Sequence, residues 1–368
     1  MLQTGVVTAL GTMSGTSLDG VDAAVVHTDG ISIHGIGPSS YHAYSEQEQV
    51  TLKAHLGRWQ DEDCTKAATI VEEAHMTVMQ PFEGIDIAGF HGQTLAHDPG
   101  GRGTHQCGDG ARLAEALGYP VAWDFRTADV AAGGQGAPLA PFYHFALAKW
   151  IKAAAPIAFL NLGGVGNITW VNPACDDPAD PAALLAFDTG PANAPMNDLM
   201  RQRQGLGYDA NGDIAAQGRA DADIVAGFMK HPYFGKAAPK SLDRDAFSGL
   251  AQPVMKLSDA DALATLAEAV VSSVAAACAL CPTVPQTLLV TGGGRHNKTL
   301  MSGLADRLAC NVARVEDVGL DGDMLEAQAF AYLAVRVARG LPISSPQTTG
   351  IAQPMAGGRI ARSCNNTG

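Results

Sequence analysis

Short apolar runs and longer segments with helical periodicity alternate along the chain. The apolar runs are rich in β-branched residues, which is typical of buried strands. We predict strands at 6–10, 22–27, 85–90, 121–123, 157–162, 167–171, 184–187 and 287–291. We predict helices at 46–56, 65–79, 111–117, 141–152, 259–280, 298–308 and 325–339. This alternation predicts an α/β protein.

Two segments repeat one pattern, in which two strands enclose a turn of small residues. Residues 6–28 read VVTALGTMSGTSLDGVDAAVVHT, and residues 157–171 read IAFLNLGGVGNITWV. The repeat predicts that each half of the chain opens with a β-hairpin. A chain of 368 residues is also too long for one ordinary core. Because the Gly- and Pro-rich segment 133–141 suits a boundary, we predict a first lobe of 1–137, which 355–368 rejoins, and a second lobe of 138–354.

The turn of the first hairpin has the composition of a phosphate-binding loop. It reads GTMSGTSLDGVD at 11–22, and Gly allows close backbone approach to a phosphate while Ser and Thr supply hydroxyl donors. Asp19 and Asp22 could hold Mg²⁺ directly or through water. A tight hairpin turn also needs Gly, so the segment alone favours neither interpretation. No Gly-Lys-Ser/Thr follows, which excludes a Walker A loop.

Three later motifs leave the same choice open. Residues 161–169 (NLGGVGNIT) are either a second phosphate loop or a Gly-rich hairpin. Asp188 ends an apolar strand in FDTGPAN and is either a carboxylate that faces a ligand or a turn or helix-cap residue. The three glycines at 292–294 suit a nucleotide at a helix N-terminus, or close packing. A Rossmann site is disfavoured, because GxGxxG and its acidic partner are missing.

Two polar segments directly follow predicted strands, where α/β folds bind their ligands. They are FHGQT at 90–94 and WDFRTAD at 123–129. A single His or Arg is more often structural, but several that converge favour a binding site for a hydroxyl-rich ligand.

The composition of the chain argues against several classes of partner, of metal site and of location. The formal net charge of −13 argues against a nucleic-acid or anionic-membrane partner. The segment 262–281 is apolar but rich in Ala and contains Glu268, so we predict a buried helix rather than a membrane span. The seven scattered cysteines favour reduced thiols over a zinc site. Residues 1–10 lack the basic region of a secretory signal, which favours a cytoplasmic protein.

The order of these motifs resembles the layout of the actin/hexokinase/Hsp70 superfamily. More specifically, MSGTSLDGVD, FHGQT, the segment from DFR to GGQGAP, LNLGGVGNIT, FDTGPAN and VTGGGRHN resemble the anhydro-N-acetylmuramic acid kinase family. The resemblance spans Gly11 to about Arg339. It implies a two-lobed, ribonuclease H-like fold of duplicated domains with a central cleft.

The resemblance also implies an activity. The family converts 1,6-anhydro-N-acetylmuramic acid, ATP and water to N-acetylmuramic acid 6-phosphate and ADP, which serves the recycling of cell-wall peptidoglycan. Its members are cytoplasmic and usually homodimeric. The implied cofactors are ATP and Mg²⁺, and the implied partner is the anhydrosugar.

Individual roles follow from the resemblance at matching positions. Asp188 would be the catalytic base, and Glu326 would line the cleft from the start of a helix. The first phosphate loop would comprise Gly15, Thr16, Ser17, Leu18, Asp19, Gly20, Val21 and Asp22, with Asp19 and Asp22 at the metal. The second loop would comprise Gly163, Gly164, Gly166 and Asn167, and the adenosine border Gly292, Gly293, Gly294 and Asn297. The sugar would be contacted or framed by His91, Gln93, Arg126, Asp129 and Asp188.

One position departs from the wider superfamily, many of whose members carry Asp where Met13 stands. That removes a common carboxylate near the metal, for which Asp19, Asp22, Asp188 or Glu326 would have to compensate.

Other functions stay open. Another sugar or carboxylate kinase of the superfamily would share the phosphate loops but lack FHGQT and DFRTAD. A non-catalytic sugar-sensing regulator usually adds a basic DNA-binding segment, and none is visible before the first strand. A chaperone-like nucleotide switch would need a separate peptide-binding domain, for which 368 residues leave no room.

Overall fold

The computed structural model describes residues 4–242, 247 and 251–363. The strands, numbered in chain order, are β1 (Val7–Ser14), β2 (Gly20–Thr28), β3 (Ile33–Ala43), β4 (Ile87–Asp98), β5 (Gly103–Cys107), β6 (Val121–Trp123), β7 (Ile157–Leu162), β8 (Val165–Val171), β9 (Leu184–Pro191), β10 (Thr287–Thr291), β11 (Asn311–Arg314) and β12 (Arg359–Ala361). The helices are α1 (Glu46–Lys53), α2 (Thr65–Met79), α3 (Gly110–Leu117), α4 (Thr127–Ala131), α5 (Pro141–Trp150), α6 (Asn193–Gln204), α7 (Ala222–Phe228), α8 (Ala251–Val254), α9 (Asp259–Cys278), α10 (Lys298–Arg307) and α11 (Leu325–Ala338).

The two sheets are built on one plan. In the first sheet β1, β2 and β3 form an antiparallel meander, β4 runs parallel to β1, and β6 runs parallel to β4. In the second sheet β7, β8 and β9 form the meander, β10 runs parallel to β7, and β11 runs parallel to β10. The same topology thus occurs twice, which confirms the predicted duplicated α/β fold. The first sheet adds β5 beside β4 and β12 beside β6.

The chain divides into two compact units, Met1–Ile151 with Met324–Gly368, and Lys152–Asp323. The sequence-based lobes divide instead at 137/138 and 354/355. The difference arises because α5 and α11 pack together in the first unit, where the Tyr143 hydroxyl donates to Gln328 Oε1 over 3.0 Å. The pairing of β12 with β6 also keeps the described part of the C-terminal segment in the first unit.

Helix α11 lies against the first sheet at two glycines. A Cβ on Gly11 of β1 would lie 1.9 Å from the Ala327 carbonyl oxygen, and one on Gly89 of β4 would lie 2.1 Å from that of Phe330. Only glycine permits this close approach of helix and strand backbones. The first turn of α11, which carries Glu326, is therefore held at a fixed distance from β1 and β4.

Helix α9 is the apolar segment predicted as a buried helix. Among the described residues it is long and apolar enough to cross a membrane, yet 61% of its most apolar stretch is buried inside the protein. Leu263, Val270 and Val274 belong to the core of the second unit. A core helix accounts for its composition. The six cysteines in the described part of the chain are free thiols, and Cys364 lies outside it.

Candidate active site

The turn between β1 and β2 presents polar groups to solvent. Thr16, Ser17 and Asp19 are exposed, whereas Leu18 is buried in the core of the first unit. Leu18 adopts φ +60°, and its N–H donates to the Gly15 carbonyl oxygen over 3.2 Å. The turn therefore points one apolar side chain inward and leaves the hydroxyls of its neighbours free to face a ligand.

Two tyrosines at the end of β3 hold the far side of this turn. The Asp19 carbonyl oxygen accepts a hydrogen bond from the Tyr44 N–H (3.0 Å) and one from the Tyr41 hydroxyl (2.9 Å). A Cβ on Gly20 would lie 2.7 Å from the Tyr41 hydroxyl, and Val21 is fully buried. Gly20 and Val21, which we predict at the phosphates, thus have clear packing roles, and their contact with ATP stays a prediction.

Asp19 and Asp22 both lie close enough to Tyr41 for their charges to act on its hydroxyl group. Partial removal from water raises the pKa of Tyr41, and the charges of Asp19 and Asp22 raise it further. Within the residues that the structure describes, no group of three or more His, Cys, Asp or Glu side chains is placed to hold a metal. Two carboxylates fit Mg²⁺, because this ion commonly takes one or two carboxylates and completes its shell with phosphates and water.

Gln93 of β4 lies behind the same turn. Its Oε1 accepts from Ser14 Oγ over 2.6 Å, and its Nε2 donates to the Gly15 carbonyl oxygen over 3.2 Å. The side chain has no exposed surface (0%). A contact between Gln93 and a sugar is therefore not available in this conformation, and the framing half of the predicted role stays a prediction.

His91 and Arg126 form a hydrogen-bonded pair. Arg126 Nε donates to His91 Nε2 over 2.9 Å, and Arg126 Nη1 donates to the Gly136 carbonyl oxygen over 2.6 Å. His91 Nδ1, which must then carry the ring proton, donates to the Gly92 carbonyl oxygen over 2.8 Å. Burial and the Arg126 charge hold the pKa of His91 well below its usual value. The neutral imidazole is thus an acceptor that orients the guanidinium.

Arg126 is a candidate contact for an anionic or hydroxyl-rich ligand. Removal from water lowers its pKa to about 10, and the charges of Glu326 and Asp129 oppose that shift. It therefore stays charged at neutral pH. Part of the side chain remains exposed, unlike those of His91 and Gln93.

Asp129 braces the loop that carries Gly136. Its Oδ1 accepts from the Gly136 N–H over 2.7 Å, and its Oδ2 accepts from Thr349 Oγ1 over 2.7 Å. The side chain is 1% exposed. Both oxygens are thus used within the protein, which fits the framing half of the predicted role.

Glu326 stands in the first turn of α11. Removal from water raises its pKa, and the nearby Arg126 charge lowers it. The side chain keeps an exposed surface. Glu326 and Arg126 therefore place a carboxylate and a guanidinium within electrostatic reach of one another. That Glu326 lines the cleft and that Arg126 contacts the sugar stay predictions.

The turn between β7 and β8 is the second predicted phosphate loop. A Cβ on Gly164 would meet only Ala194 Cβ at 3.7 Å, and one on Gly163 would meet nothing closer than 3.7 Å. A Cβ on Gly166 would lie 2.5 Å from Thr189 Oγ1. Gly166 is therefore required by packing, whereas Gly163 and Gly164 leave space that a ligand can occupy.

The start of α6 supports this turn. Asn193 donates from its backbone N–H to the Gly163 carbonyl oxygen (2.8 Å) and from Nδ2 to that of Leu162 (2.7 Å). The Ala192 N–H donates to the Gly164 carbonyl oxygen over 3.0 Å. Because the carbonyl oxygens of Leu162, Gly163 and Gly164 accept these hydrogen bonds, they face α6. The backbone N–H groups of the turn can then bind an anion.

The three glycines after β10 divide between the two interpretations. A Cβ on Gly292 would lie 2.2 Å from Asn161 Oδ1, and one on Gly294 would lie 2.5 Å from Leu162 Cβ. These two glycines are explained by close packing against β7. Gly293 is exposed and has no neighbour closer than 3.6 Å. Asn297 caps α10, since its Oδ1 accepts from the Leu300 N–H over 3.1 Å.

Asp188 lies inside β9, opposite Asn167 of β8. The prediction that it ends the strand is wrong, because Gly190 and Pro191 also pair with β8. Its Oδ2 accepts from the Leu242 N–H over 2.7 Å, and its backbone N–H donates to the Lys240 carbonyl oxygen over 3.0 Å. The Tyr233 hydroxyl donates to the Asp188 carbonyl oxygen over 2.5 Å. The residue is therefore fixed by main-chain and side-chain bonds, while Oδ1 has no hydrogen-bond partner among the residues described.

The environment of Asp188 suits a general base. Removal from water raises its pKa to about 7, against the opposing hydrogen bond from Leu242. A carboxyl group with a pKa near the working pH is basic enough to take a proton from water and still ionised in a large share of the molecules, about half when pH equals the pKa. The helix-cap interpretation fails, since the helix that follows begins at Asn193 and its N-terminal cap residue is Ala192.

Several supporting residues carry no signal in the sequence. Tyr41, Tyr44 and Tyr233 hold the turn and the base by hydroxyl or backbone bonds. Buried Arg295 stabilises the glycine segment after β10, since it bonds Glu316, Asp323 and the Gly292 carbonyl oxygen. The tyrosines are remote in sequence from the groups that they support, and Arg295 is remote from Glu316 and Asp323, so only the fold brings these groups together.

The comparisons with known proteins agree with the motif resemblance. The chain matches the family model described as anhydro-N-acetylmuramic acid kinase over residues 7–363. A relative of that name from Cereibacter sphaeroides is 61% identical over 98% of both chains. Another from Roseobacter denitrificans is 57% identical over 98% of this chain and 95% of its own.

Solved structures resemble the chain only distantly. The activator of 2-hydroxyisocaproyl-CoA dehydratase from Clostridium difficile, with bound ADPNP, aligns with a TM-score of 0.47 and 11% identity, over 90% of this chain and 96% of that one. Such a likeness says nothing about ligands. The family match and the two relatives each span nearly the whole chain, and on that ground the chain belongs to the anhydro-N-acetylmuramic acid kinase family.

Proposed function

We propose that the chain uses ATP and water to open the 1,6-anhydro ring of anhydro-N-acetylmuramic acid and to phosphorylate O6. The products would be N-acetylmuramic acid 6-phosphate and ADP, in the recycling of peptidoglycan. Membership of the family supports the kinase reaction. The observation that carries the hydrolytic half is Asp188, a fixed carboxyl group with a pKa of about 7 and one oxygen that has no partner among the described residues.

The chemistry explains why one carboxylate would suffice. Ordinary glycosidases use two carboxyl groups, an acid for the leaving oxygen and a base or nucleophile at the anomeric carbon. In an anhydrosugar the leaving oxygen is O6, and the γ-phosphoryl group of ATP can capture it in place of a proton. Asp188 would then remove a proton from water as the water oxygen bonds to C1.

The other groups would bind and orient the substrates. The amides of Gly163 and Gly164 and the turn at Gly15–Ser17 would hold phosphates, with Gly293 beside the nucleoside. Asp19 and Asp22 would hold Mg²⁺, which neutralises phosphate charge when bound. Arg126, oriented by His91, would bind the sugar with Glu326 beside it. We further propose a cytoplasmic location and a homodimer, both of which rest on the resemblance alone.

An ADP-release assay across a panel of sugars tests this function. The panel contains anhydro-N-acetylmuramic acid, N-acetylmuramic acid, N-acetylglucosamine and levoglucosan. Turnover that requires the muramic anhydrosugar supports the proposal. Preference for another sugar would favour a different kinase of the superfamily, and absence of turnover with every sugar would favour a non-catalytic sensor.

Isotope labelling tests the proposed mechanism. In ¹⁸O-water, we expect the label at C1 of the product and none on the phosphate, because water attacks carbon. Since O6 leaves from the β face, attack from the opposite side gives the α-anomer first. NMR and mass spectrometry of fresh product read both results, and label on phosphate or an initial β-anomer would contradict the scheme.

Replacing Arg126 by Ala should raise the KM for the sugar by about tenfold or more, the effect of losing a charge-assisted hydrogen bond, and change the KM for ATP much less. Steady-state kinetics with each substrate varied in turn measure both constants. Arg102→Ala is a matched control, because Arg102 is an exposed surface arginine paired with Asp61. Equal increases in both KM values would indicate that Arg126 is structural.

A further inference from the structure

Gln93 connects β4 to the predicted phosphate loop through a continuous chain of hydrogen bonds. The Tyr44 hydroxyl lies 3.2 Å from Ser14 Oγ, which donates to Gln93 Oε1 over 2.6 Å. This fixes the orientation of the amide, so its Nε2 faces the Gly15 carbonyl oxygen at 3.2 Å. Ser14 Oγ can give its single proton only to Gln93, so the Tyr44 hydroxyl is the donor to Ser14.

The chain of bonds lies inside the protein. Ser14, Tyr44 and Gln93 are 1%, 3% and 0% exposed. Burial raises the pKa of Tyr44 to about 12, so its hydroxyl remains a donor at any working pH. Bonds in such a sheltered chain polarise one another and resist competition from water.

The chain of bonds ends on the loop backbone. The last acceptor is the carbonyl oxygen of Gly15, at the point where β1 turns into Thr16 and Ser17. When that carbonyl is held inward, the rotation of the peptide that follows is restricted, and with it the direction of the Thr16 N–H. The same carbonyl oxygen also accepts from the Leu18 N–H over 3.2 Å. Side-chain packing adds little restraint at Gly15, since an added Cβ would meet only Ser17 Oγ at 3.6 Å.

We infer that Gln93 is a positioning residue for the ATP phosphates, acting through Ser14 and the Gly15 carbonyl, and not a ligand of the sugar. The inference rests on the proposed function, in which the turn after β1 binds phosphate. It separates two residues that the sequence groups together: His91 of the same strand orients Arg126, whereas Gln93 orients the loop.

Two variants of Gln93 test the inference by ATP titration calorimetry and by steady-state kinetics. Gln93→Met has similar length but cannot bond Ser14 or Gly15, and we expect the Kd for ATP to rise about tenfold, the effect of losing the Gly15 restraint. Gln93→Glu is nearly the same size and can still accept from Ser14. Its second oxygen would repel the Gly15 carbonyl oxygen when the carboxyl group is ionised and donate to it when the group is protonated, so we expect the rise in Kd to grow with pH. The KM for the sugar should change by less than about twofold in either variant.

A matched control and a double variant complete the test. Gln106→Met makes the same change on β5, where the amide donates to Thr94 and Thr104 instead of the loop; its Kd for ATP should equal that of the wild type. Ser14→Ala should also raise the Kd for ATP. The double variant Ser14→Ala/Gln93→Met should raise this Kd by less than the product of the two single fold-changes, since both substitutions break one chain of bonds.

The contrary outcomes are distinct. A folded Gln93→Met protein with wild-type affinity for ATP overturns the inference, and a sugar KM raised tenfold at unchanged ATP affinity would return Gln93 to the sugar site. A wild-type protein that binds no ATP would refute the proposed function itself, before any variant is compared.

Discussion

Asp188→Asn is expected to lower kcat by about 10²–10⁴-fold, the usual effect of a lost general base. Calorimetry should show that the affinity for ATP and for the anhydrosugar is retained, because Asn has nearly the same shape and its amide oxygen can still accept from the Leu242 N–H. The oxygen that we assign to water activation is the one without a partner among the described residues. In Asn that position carries either an amide nitrogen or a weakly basic oxygen, and neither removes a proton from water.

The same assignment predicts the pH dependence of the wild-type enzyme. Because the pKa of Asp188 is raised to about 7, the carboxyl group is protonated and inactive below that pH. It becomes ionised and active above it, so kcat should rise as pH passes through about 7. This limb should be absent from the residual activity of Asp188→Asn. Asp198→Asn makes the same change at an exposed helix position paired with Arg201 and should leave both kcat and profile unchanged. Full activity of Asp188→Asn would assign the base elsewhere.

The repeated meander could be predicted because its signal is local. Each hairpin consists of two apolar strands and a turn of small residues, at 6–28 and at 157–171. Strand β3 (Ile33–Ala43) gave no comparable signal, since its side chains are mostly half-buried or exposed and include Pro38, Ser39 and Ser40. It becomes a strand because β2 offers a free edge with which it can pair. Because β3 is not predicted, the contacts of Tyr41 and Tyr44 with the first hairpin could not be predicted either.

The candidate site could be predicted as a set of residue types but not as a set of roles. DFRTAD directly follows β6, as predicted. The prediction that FHGQT follows a strand is wrong, because β4 runs on through the motif to Asp98. A motif also does not show which side chains are buried. In the structure Gln93 bonds the backbone of one loop and Asp129 bonds the backbone of another. Of the side chains in these motifs that we predict at the sugar, Arg126 is the one that is partly exposed. Tyr233 lies 45 residues after Asp188 in a segment without periodicity, so no local pattern connects it with the base.

Gly164→Val should abolish measurable ATP binding while the protein remains folded. The backbone of Gly164 is exposed and outside the positive-φ glycines, and a Cβ there would meet only Ala194 Cβ at ordinary contact distance, 3.7 Å. A valine side chain would therefore project into the space above the turn, where the proposal puts phosphate oxygens. Loss of two charge-assisted hydrogen bonds at about 1.5–3 kcal/mol each corresponds to a rise in Kd of at least about 10²-fold.

Neighbouring glycines show why position 164 isolates the ligand from the fold. Gly166→Val would force a Cβ against Thr189 Oγ1 at 2.5 Å, and a valine at Gly292 would have to adopt φ +71°. Either substitution would therefore destabilise the fold as well as change the loop. Gly100→Val is the matched control, because Gly100 lies in the turn between β4 and β5 with nothing within 4 Å of an added Cβ. Calorimetry against ATP, with circular dichroism for the fold, compares the two valine variants with the wild type. A folded Gly164→Val protein that binds ATP normally would remove the turn between β7 and β8 from the phosphate site, whereas loss in this variant alone would assign it there.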